Sequence, residues 1–331
     1  MLGGNLFIRM PRKSRRALEP RLPTAAVSSG LNRVYKHIFH IWTPLSPHEW
    51  AATAPHHGMF GNSVAGVMPN IALAVEKGFA GIFVSGGSPF TSARLFNASG
   101  EHQVDADFFV SIHESLRQAK IRNIRGLVHP TQPIRVSDET AQASWAYLSR
   151  AITPKMSITR SSPEVPVIHL RGGDVYFGRR HLPNHGQPPV SYYIAVLRSL
   201  CAKKVLVVHQ GEIPMLTALT NRCNELGISV ATQSASLKED LEKLLGASIL
   251  IAGRGSFAPA VAGLSPSIER AYYFESGFGL TVRKPSITLV RARDKSGEYV
   301  ARVLSYNWAR REDQLSLAID YPEDEIVLDT C

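Results

Sequence analysis

The second half of the chain alternates between short apolar runs and longer segments whose apolar residues recur at helical spacing. The apolar runs predict buried strands, namely residues 165–170, Val205–Val208, Ile228–Thr232, Ser248–Ala252 and Arg270–Phe274. The helical spacing predicts helices over Ser191–Leu200, Pro214–Leu226, Lys238–Leu245 and a segment that opens at 259–264. Strict alternation of strand and helix is typical of a parallel sheet that is covered by helices on both faces.

The first half shows the same alternation. The predicted strands are Ala80–Ser85 and Gly126–His129, and the predicted helices are a segment through Ile71 and Phe79, Phe108–Lys120 and Glu139–Ile152. Thr153–Pro166 contains three prolines and predicts a linker. Near the end of the chain, two β-like runs within Ile287–Leu304 flank a turn at Asp294–Gly297, which predicts a hairpin.

The sequence therefore predicts an α/β protein with two domains. We place an N-terminal α/β domain at 41–155 and a C-terminal α/β domain at 165–310, between a basic N-terminal tail at 1–40 and an acidic C-terminal tail at 311–331. Two such domains leave a cleft between them, and ligands of open α/β sheets bind at the carboxyl ends of the strands.

The composition is that of a globular protein. Of the 331 residues, 44% are apolar and 19% are charged, which argues against a disordered chain. No window holds the roughly 18 uncharged apolar residues that a membrane span needs. The three cysteines are too widely spaced for a disulfide framework or a zinc pattern, so we expect a reducing, cytoplasmic setting.

The net charge of +10 is spread unevenly along the chain. Residues 1–40 hold eight Lys and Arg against one acid, whereas residues 311–331 hold one Arg against seven acids. The basic leader lacks the apolar stretch of a secretory signal, which leaves a disordered tail, a peripheral membrane contact or a misassigned start. The body has no Lys/Arg stripe with interleaved aromatics, so nucleic acid is not expected as a partner.

The octet Val167–Asp174 carries the first candidate site. A buried strand leads directly into Arg171 and, after two glycines, Asp174. Arg171 offers a planar fork of donors that suits a phosphate, and glycines allow a ligand to approach the backbone closely. The pattern indicates an anion site at the end of a strand. A satisfied core His169 and a structural ion pair between Arg171 and Asp174 remain the alternative.

The second candidate site is the turn Gly253-Arg254-Gly255-Ser256 and Phe257, which joins a predicted strand to a predicted helix. A helix start presents free backbone N–H groups and the positive end of the helix dipole, and Arg254 and Ser256 would add donors. The turn is a candidate phosphate cradle, although glycine-rich turns of this kind also occur without a ligand.

The same turn matches a loose dinucleotide fingerprint. Gly253, Gly255 and Ala258 have the required spacing, and Glu275 ends the next predicted strand. This favours an NAD(P)-dependent oxidoreductase. Against that hypothesis, the third glycine is an alanine, and the Arg171–Asp174 pattern would have no role.

The third candidate is the loop before the first predicted helix, where Phe60, Gly61 and Asn62 precede Ser63. Asn62 or Ser63 can cap that helix, and an ordinary capped helix is the alternative to a ligand-facing loop. His48, His56 and His57 have no carboxylate or cysteine partner at a diagnostic spacing, so no metal is expected.

Taken in order, these three patterns resemble the fucosyltransferase-like GT-B glycosyltransferases, which include α-1,2-, α-1,6- and protein O-fucosyltransferases. The family hallmark, His-x-Arg-Arg-x-Asp, is similar to the stretch from His169 to Asp174. The loop at Gly61 and Asn62 is similar to a Gly-x-Gly-Asn loop, and Gly255–Ala258 is similar to a Ser/Thr-Phe-Ser turn. The resemblance covers roughly residues 55–275.

The resemblance implies a GT-B-like fold, in which two Rossmann-like domains with parallel sheets face a cleft. It implies an inverting, metal-independent transfer from a GDP-sugar, GDP-fucose first, to a glycan or glycolipid acceptor in polysaccharide biosynthesis, without a cofactor. Arg171 and Asp174 would be the catalytic residues, with Arg171 stabilising the diphosphate leaving group. The donor would contact His169, Gly61, Asn62, Gly253, Arg254, Gly255, Ser256 and Phe257.

The chain departs from the family pattern in two places. The second arginine of the hallmark is Gly172, and the acidic residue often found after the next strand is replaced by His209-Gln210-Gly211. Candidate bases for the acceptor hydroxyl are Glu49, Asp174, His56 and His57. The oxidoreductase and a non-catalytic binder of nucleotide-sugars or glycans remain the alternatives to the transferase.

Overall fold

The computed structural model describes residues 49–53, 60–61, 64–65, 68, 71–72, 76, 81–84, 120–123, 137–153, 156–172, 186–211, 213–275, 284–303 and 311–329. These residues form an α/β protein with two sheets, which confirms the predicted fold class. The boundary between two domains at 155–165 stays a prediction.

The first sheet has three parallel strands, β1 (Glu49–Thr53), β2 (Gly81–Val84) and β3 (Lys120–Asn123), with β1 in the middle. β2 confirms the strand predicted at 80–85. β3 begins at Lys120, where a helix was predicted to end, so that end of the predicted helix is wrong. The strand predicted at 126–129 lies outside the described residues.

The second sheet has seven strands, and its order runs β10-β9-β8-β7-β4-β5-β6. The strands are β4 (Val167–Leu170), β5 (Lys204–His209), β6 (Ser229–Gln233), β7 (Ile249–Ala252), β8 (Arg270–Phe274), β9 (Thr288–Asp294) and β10 (Ile326–Leu328). All neighbouring pairs are parallel except β9 with β10. The parallel strands follow the doubly wound order, which reverses between β4 and β7.

The described residues from Val64 to Glu76 are helical and lie within the first predicted helix. The helices with defined bounds are α1 (Asp138–Ile152), α2 (Val190–Ser199), α3 (Pro214–Glu225), α4 (Leu237–Gly246), α5 (Phe257–Leu264), α6 (Glu298–Val303) and α7 (Arg311–Asp320). Alternate residues of each strand face opposite sides of the sheet. Val167 packs with α1, α4 and α5 on one side, and Ile168 packs with α2, α3, α6 and α7 on the other. The continuous apolar runs of the sequence are therefore explained by burial on both faces.

The hairpin predicted within Ile287–Leu304 is wrong, because the second run is helix α6. Asp294 is buried at the end of β9, and its carboxylate accepts hydrogen bonds from the Val300 N–H (3.1 Å) and the Tyr321 hydroxyl (2.7 Å). A carboxylate that satisfies an N–H in the first turn of a helix favours that helix. Tyr299 and Val303, four residues apart, then bury the same helical face.

The acidic tail predicted at 311–331 is also corrected. Residues 311–329 form helix α7, a 3₁₀ turn and the edge strand β10, which pairs antiparallel with β9. Ala318 and Tyr321 are buried in the core beside α2 and α3. The apolar residues of this segment hold it on the sheet, while its acids occupy the remaining positions.

Helix α1 is held against α5 by a contact between Trp145 and Gly263. A Cβ atom added at Gly263 would lie 2.3–2.4 Å from three atoms of the buried Trp145 ring. We expect Gly263→Ala to lower the free energy of unfolding by about 1–3 kcal/mol, because overpacking a buried ring forces neighbours to shift. Urea unfolding of the variant and of the double variant with Trp145→Phe measures this. Measured against Trp145→Phe alone, the loss caused by Gly263→Ala should be smaller than it is in the wild type. An equal loss in both backgrounds would contradict the contact.

Candidate functional site

The site lies where the order of the second sheet reverses. Arg171 follows β4, and Gly253 follows β7, which is the neighbour of β4. In doubly wound sheets this crevice, outside the carboxyl ends of the strands, is where ligands bind. Two motifs that are far apart in the sequence are thus brought together by the topology.

The guanidinium of Arg171 lies directly against Gly255. A Cβ added at Gly255 would be 2.5 Å from Arg171 Nη1, and Gly255 has a φ of +121°, a conformation that L side chains rarely adopt. The positive φ favours glycine at this position, and a methyl group there would displace the arginine head. The arginine head is therefore placed over the turn that leads into α5, as the phosphate-site hypothesis requires.

Gln187 stabilises the turn at residues 253–256 through hydrogen bonds to its backbone. The Gln187 amide accepts a hydrogen bond from the Arg254 N–H (3.1 Å) and donates one to the Arg254 carbonyl (3.4 Å), and the Tyr299 hydroxyl donates to the Gln187 carbonyl (2.6 Å). Gly253 packs on the end of β4, since its Cβ would meet the carbonyl oxygen of His169 at 2.7 Å. No sequence motif includes Gln187, which lies in a proline-containing segment.

Arg254 lies in the turn before α5, and its predicted contact with a donor stays a prediction. It is not among the residues that line the cavity described below. Burial lowers the pKa of its guanidinium, and nearby Tyr299 partly offsets that effect. Within the described residues its buried Nη1 has no hydrogen-bond partner.

The start of α5 packs against the first predicted helix. A Cβ at Gly61 would lie 2.5–2.6 Å from backbone atoms of Ser256 and Phe257, so no side chain fits there without moving α5. The rings of Phe60 and Phe257 meet edge to face, with centroids 5.8 Å apart. Gly61, which the structure places in a helix rather than in the predicted loop, thus lies beside the turn before α5. Asn62 lies outside the described residues.

His169 lies on β4 beneath this contact, and its ring stacks on Phe257 with centroids 4.8 Å apart. Burial first, and then the positive charge of Arg171, lower the pKa of His169 to about 4, so the imidazole is neutral at pH 7. Within the described residues its buried Nδ1 has no hydrogen-bond partner. His169 is therefore a neutral ring in the wall of the site.

A cavity of about 340 Å³ opens beside these residues, which is within the size range of small-molecule sites. It runs along the carboxyl ends of β7, β4, β5 and β6. Its lining comprises Phe60, Gly61, His169, Leu170, Arg171, Val208, His209, Gln210, Ala235, Leu237, Asp240, Leu244, Gly255, Ser256 and Phe257. One end holds the Arg171 cation, and the other holds Ala235, Leu237 and Leu244 together with the Asp240 carboxylate.

The surroundings of Gly172 explain why this position, the second arginine of the fucosyltransferase-like hallmark, is a glycine here. A Cβ at Gly172 would be 2.6 Å from the Gln210 carbonyl oxygen and 2.7 Å from a methyl group of Ile213. No arginine side chain fits at this position while the loop after β5 keeps its place. That loop approaches the backbone of the motif closely because residue 172 has no side chain.

Glu275, the acid of the dinucleotide fingerprint, is engaged in a structural role. One oxygen of its carboxylate accepts from Arg291 (2.8 Å) and the other accepts from the Asp294 N–H (2.6 Å). Both partners lie on β9, so the carboxylate ties the end of β8 to its neighbour. Glu275 does not line the cavity. The geometry gives the oxidoreductase hypothesis no ribose-binding acid at this turn.

The remaining predicted residues fall into two groups. Asp174, His56 and His57 lie outside the described residues, and their assigned roles stay predictions. Glu49 begins β1 and so lies at the amino end of a parallel strand, opposite the edge at which ligands of such sheets bind. In the described ranges no three His, Cys, Asp or Glu side chains converge as metal ligands, and no helix is long and apolar enough to cross a membrane.

No protein-family model and no curated protein matches the chain. Among solved structures, POFUT1 in complex with GDP-fucose matches with a TM-score of 0.37 and 11% identity, covering 69% of this chain and 98% of POFUT1. The glycosyl transferase family 9 protein from Veillonella parvula matches with a TM-score of 0.37 and 12% identity, covering 83% and 97%. Shikimate dehydrogenase from Mycobacterium tuberculosis matches with 0.27 and 12%, covering 82% and 99%. With TM-scores this low, the matches carry no weight in assigning an activity.

Proposed function

We propose that the chain is an inverting glycosyltransferase that takes its sugar from a GDP-sugar, GDP-fucose first, and transfers it to a glycan or glycolipid acceptor without a metal ion. The observation that carries the proposal is the placement of the Arg171 guanidinium against Gly255, at the start of α5 and at the mouth of the cavity. A fork of cationic donors and a helix start converge there on one point. Both features favour the doubly charged end of a nucleoside diphosphate.

The chemistry of transfer fits this placement. The acceptor oxygen attacks the anomeric carbon, the bond from that carbon to the β-phosphate oxygen breaks, and the electron pair remains on the departing diphosphate. Hydrogen bonds from Arg171 and the positive end of α5 stabilise the charge that develops there. A base accepts the proton of the acceptor hydroxyl. The candidates for that base remain Asp174, His56 and His57.

His169 contributes shape but no charge to this use of the site. A protonated histidine beside Arg171 would add a second charge within a buried wall, and the low pKa prevents this at pH 7. The ring instead supports Phe257, the first residue of α5. The phosphate end of the cavity thus combines one arginine with the helix start, and His169 adds shape rather than charge.

Nucleotide binding tests the proposal. We expect GDP to raise the thermal midpoint of the wild-type protein more than UDP, ADP or NAD at equal concentration, because only a bound ligand shifts the folding equilibrium. The measurement is a thermal-shift series in buffer without divalent ions, repeated with EDTA. A shift with NAD alone would favour the oxidoreductase, and the absence of any shift would contradict the proposal.

Turnover separates the transferase from a non-catalytic binder. Release of GDP from GDP-fucose, measured with a panel of glycan acceptors, is expected to depend on the acceptor. A protein that binds GDP-fucose and releases no GDP with any acceptor would be a binder.

A further inference from the structure

His209 lies at the carboxyl end of β5, where its ring lines the cavity next to the phosphate end. Its Nδ1 is 2.7 Å from the Gly211 carbonyl oxygen. A carbonyl oxygen can only accept, so Nδ1 carries the proton in this contact. In the neutral ring Nε2 is then an acceptor, and a ligand group that donates a hydrogen bond would complement it.

The loop that holds His209 is fixed on two sides. The Gly211 N–H donates to the Ser234 hydroxyl (3.2 Å), and the Gln210 carbonyl packs on Gly172 at the end of β4. Gly211 has a φ of +69°, which favours glycine and brings its carbonyl back towards the histidine. The orientation of the imidazole is therefore set before a ligand binds.

The order of strands indicates which part of a nucleotide meets His209. Arg171 and Gly255 mark the phosphate position at β4 and β7, and β5 is the next strand away from β7. Neighbouring strands are about 4.8 Å apart, roughly the step from a phosphate to its ribose. Beyond β5, the residues after β6 offer Leu237 and Leu244, which suit the face of a base, and the Asp240 carboxylate, which could accept hydrogen bonds from its edge.

Doubly wound nucleotide-binding sheets commonly place an acid at the end of this neighbouring strand, where it accepts hydrogen bonds from ribose hydroxyls. Here the strand ends in a histidine with a fixed tautomer. We propose that His209 is a specificity-determining residue that accepts a hydrogen bond from a ribose hydroxyl of the donor nucleotide through Nε2. This inference rests on the proposed function, because it takes the nucleotide to bind with its diphosphate at Arg171.

The test compares GDP with 2′-deoxy-GDP and 3′-deoxy-GDP by calorimetric titration. A neutral hydrogen bond contributes about 0.5–1.5 kcal/mol, so wild type should bind one of the deoxy analogues roughly 2- to 12-fold more weakly than GDP. In His209→Phe, which keeps the ring and removes both nitrogens, that ratio should fall to near one. In His209→Asp the carboxylate should restore the ratio, even though its charge weakens all three ligands.

The outcomes distinguish failure of the proposed function from failure of the role proposed for His209. If the wild type binds no guanine nucleotide, the proposed function fails and the inference fails with it. If both deoxy analogues bind as tightly as GDP, only the inference about His209 is wrong. The same holds if His209→Phe still binds GDP more tightly than a deoxy analogue by the wild-type ratio. If His209→Phe does not fold, His209→Asp decides, and loss of discrimination there overturns the inference.

Discussion

Arg171→Ala is expected to weaken GDP binding by about 100-fold, or roughly 3 kcal/mol, because two charge-assisted hydrogen bonds to phosphate are lost. Arg171 is half-buried against the turn at Gly255, so the free energy of unfolding of the ligand-free protein should fall by less than the free energy of GDP binding does. Calorimetric titration with GDP and urea unfolding measure the two quantities separately. The expected result is a loss of affinity without a comparable loss of stability.

Two controls sharpen this prediction. Arg171→Lys keeps the charge and loses the planar fork, so we expect an intermediate loss of about 10-fold. Arg302→Ala removes an equally large cation from an exposed ion pair with Glu298 on α6, and GDP affinity should be unchanged. Equal affinities of wild type and Arg171→Ala would remove Arg171 from the site.

Gly255→Ala is the second change with a large expected effect. The new methyl group would be 2.5 Å from Arg171 Nη1, and since that atom ends a flexible side chain, the arginine head would move rather than the fold. We expect GDP affinity to fall by roughly 10- to 100-fold, with a loss of stability of about 1–3 kcal/mol from the backbone strain at this φ. Titration with GDP and urea unfolding again separate the two effects.

Gly297→Ala is the matched control. Gly297 also has a positive φ, +74°, and a Cβ there would meet nothing within 4 Å. The substitution should therefore lower stability by about 1–2 kcal/mol through strain alone and leave GDP affinity unchanged. If Gly297→Ala weakens GDP binding as much as Gly255→Ala does, the contact between Gly255 and Arg171 is not the cause.

The sequence predicted the central strands β4, β5, β7 and β8 well, because they are largely buried on both faces and their sequences are therefore continuous apolar runs. It also placed Arg171 and Gly253 directly after predicted strands, which is where the structure has them. Their adjacency depends on β4 lying beside β7, and strand order is a property of the whole sheet. Local patterns therefore predict the parts of the site, and the topology assembles them.

The errors have local physical causes. The run after Gly297 is short, and its two buried residues, Tyr299 and Val303, do not distinguish a strand from a helix by count alone. The hydrogen bond from the Val300 N–H to the Asp294 carboxylate caps the segment and favours a helix. At 311–329 the many acids concealed an apolar face that includes Ala318 and Tyr321. Charge content alone is therefore a poor guide to whether a terminal segment folds.

Gln187 and Gly172 could not be assigned from the sequence for a different reason. Gln187 acts through its amide on the backbone of a turn that is distant in the chain, and Gly172 acts by having no side chain near Gln210. Neither role has a composition or periodicity that would reveal it. Both residues shape the site without themselves offering charge to a ligand. Gly172 lies within the first motif, but its contact with Gln210 depends on the tertiary fold, and Gln187 lies outside all three motifs.

A crystal structure of the protein with GDP shows directly whether Arg171 and the start of α5 bind the diphosphate. We expect the diphosphate within hydrogen-bond distance of the Arg171 guanidinium and of the start of α5 at Ser256. The ribose should lie beside His209 and the base beyond β5. GDP bound elsewhere, or bound in this cavity with its diphosphate away from Arg171, would contradict the account.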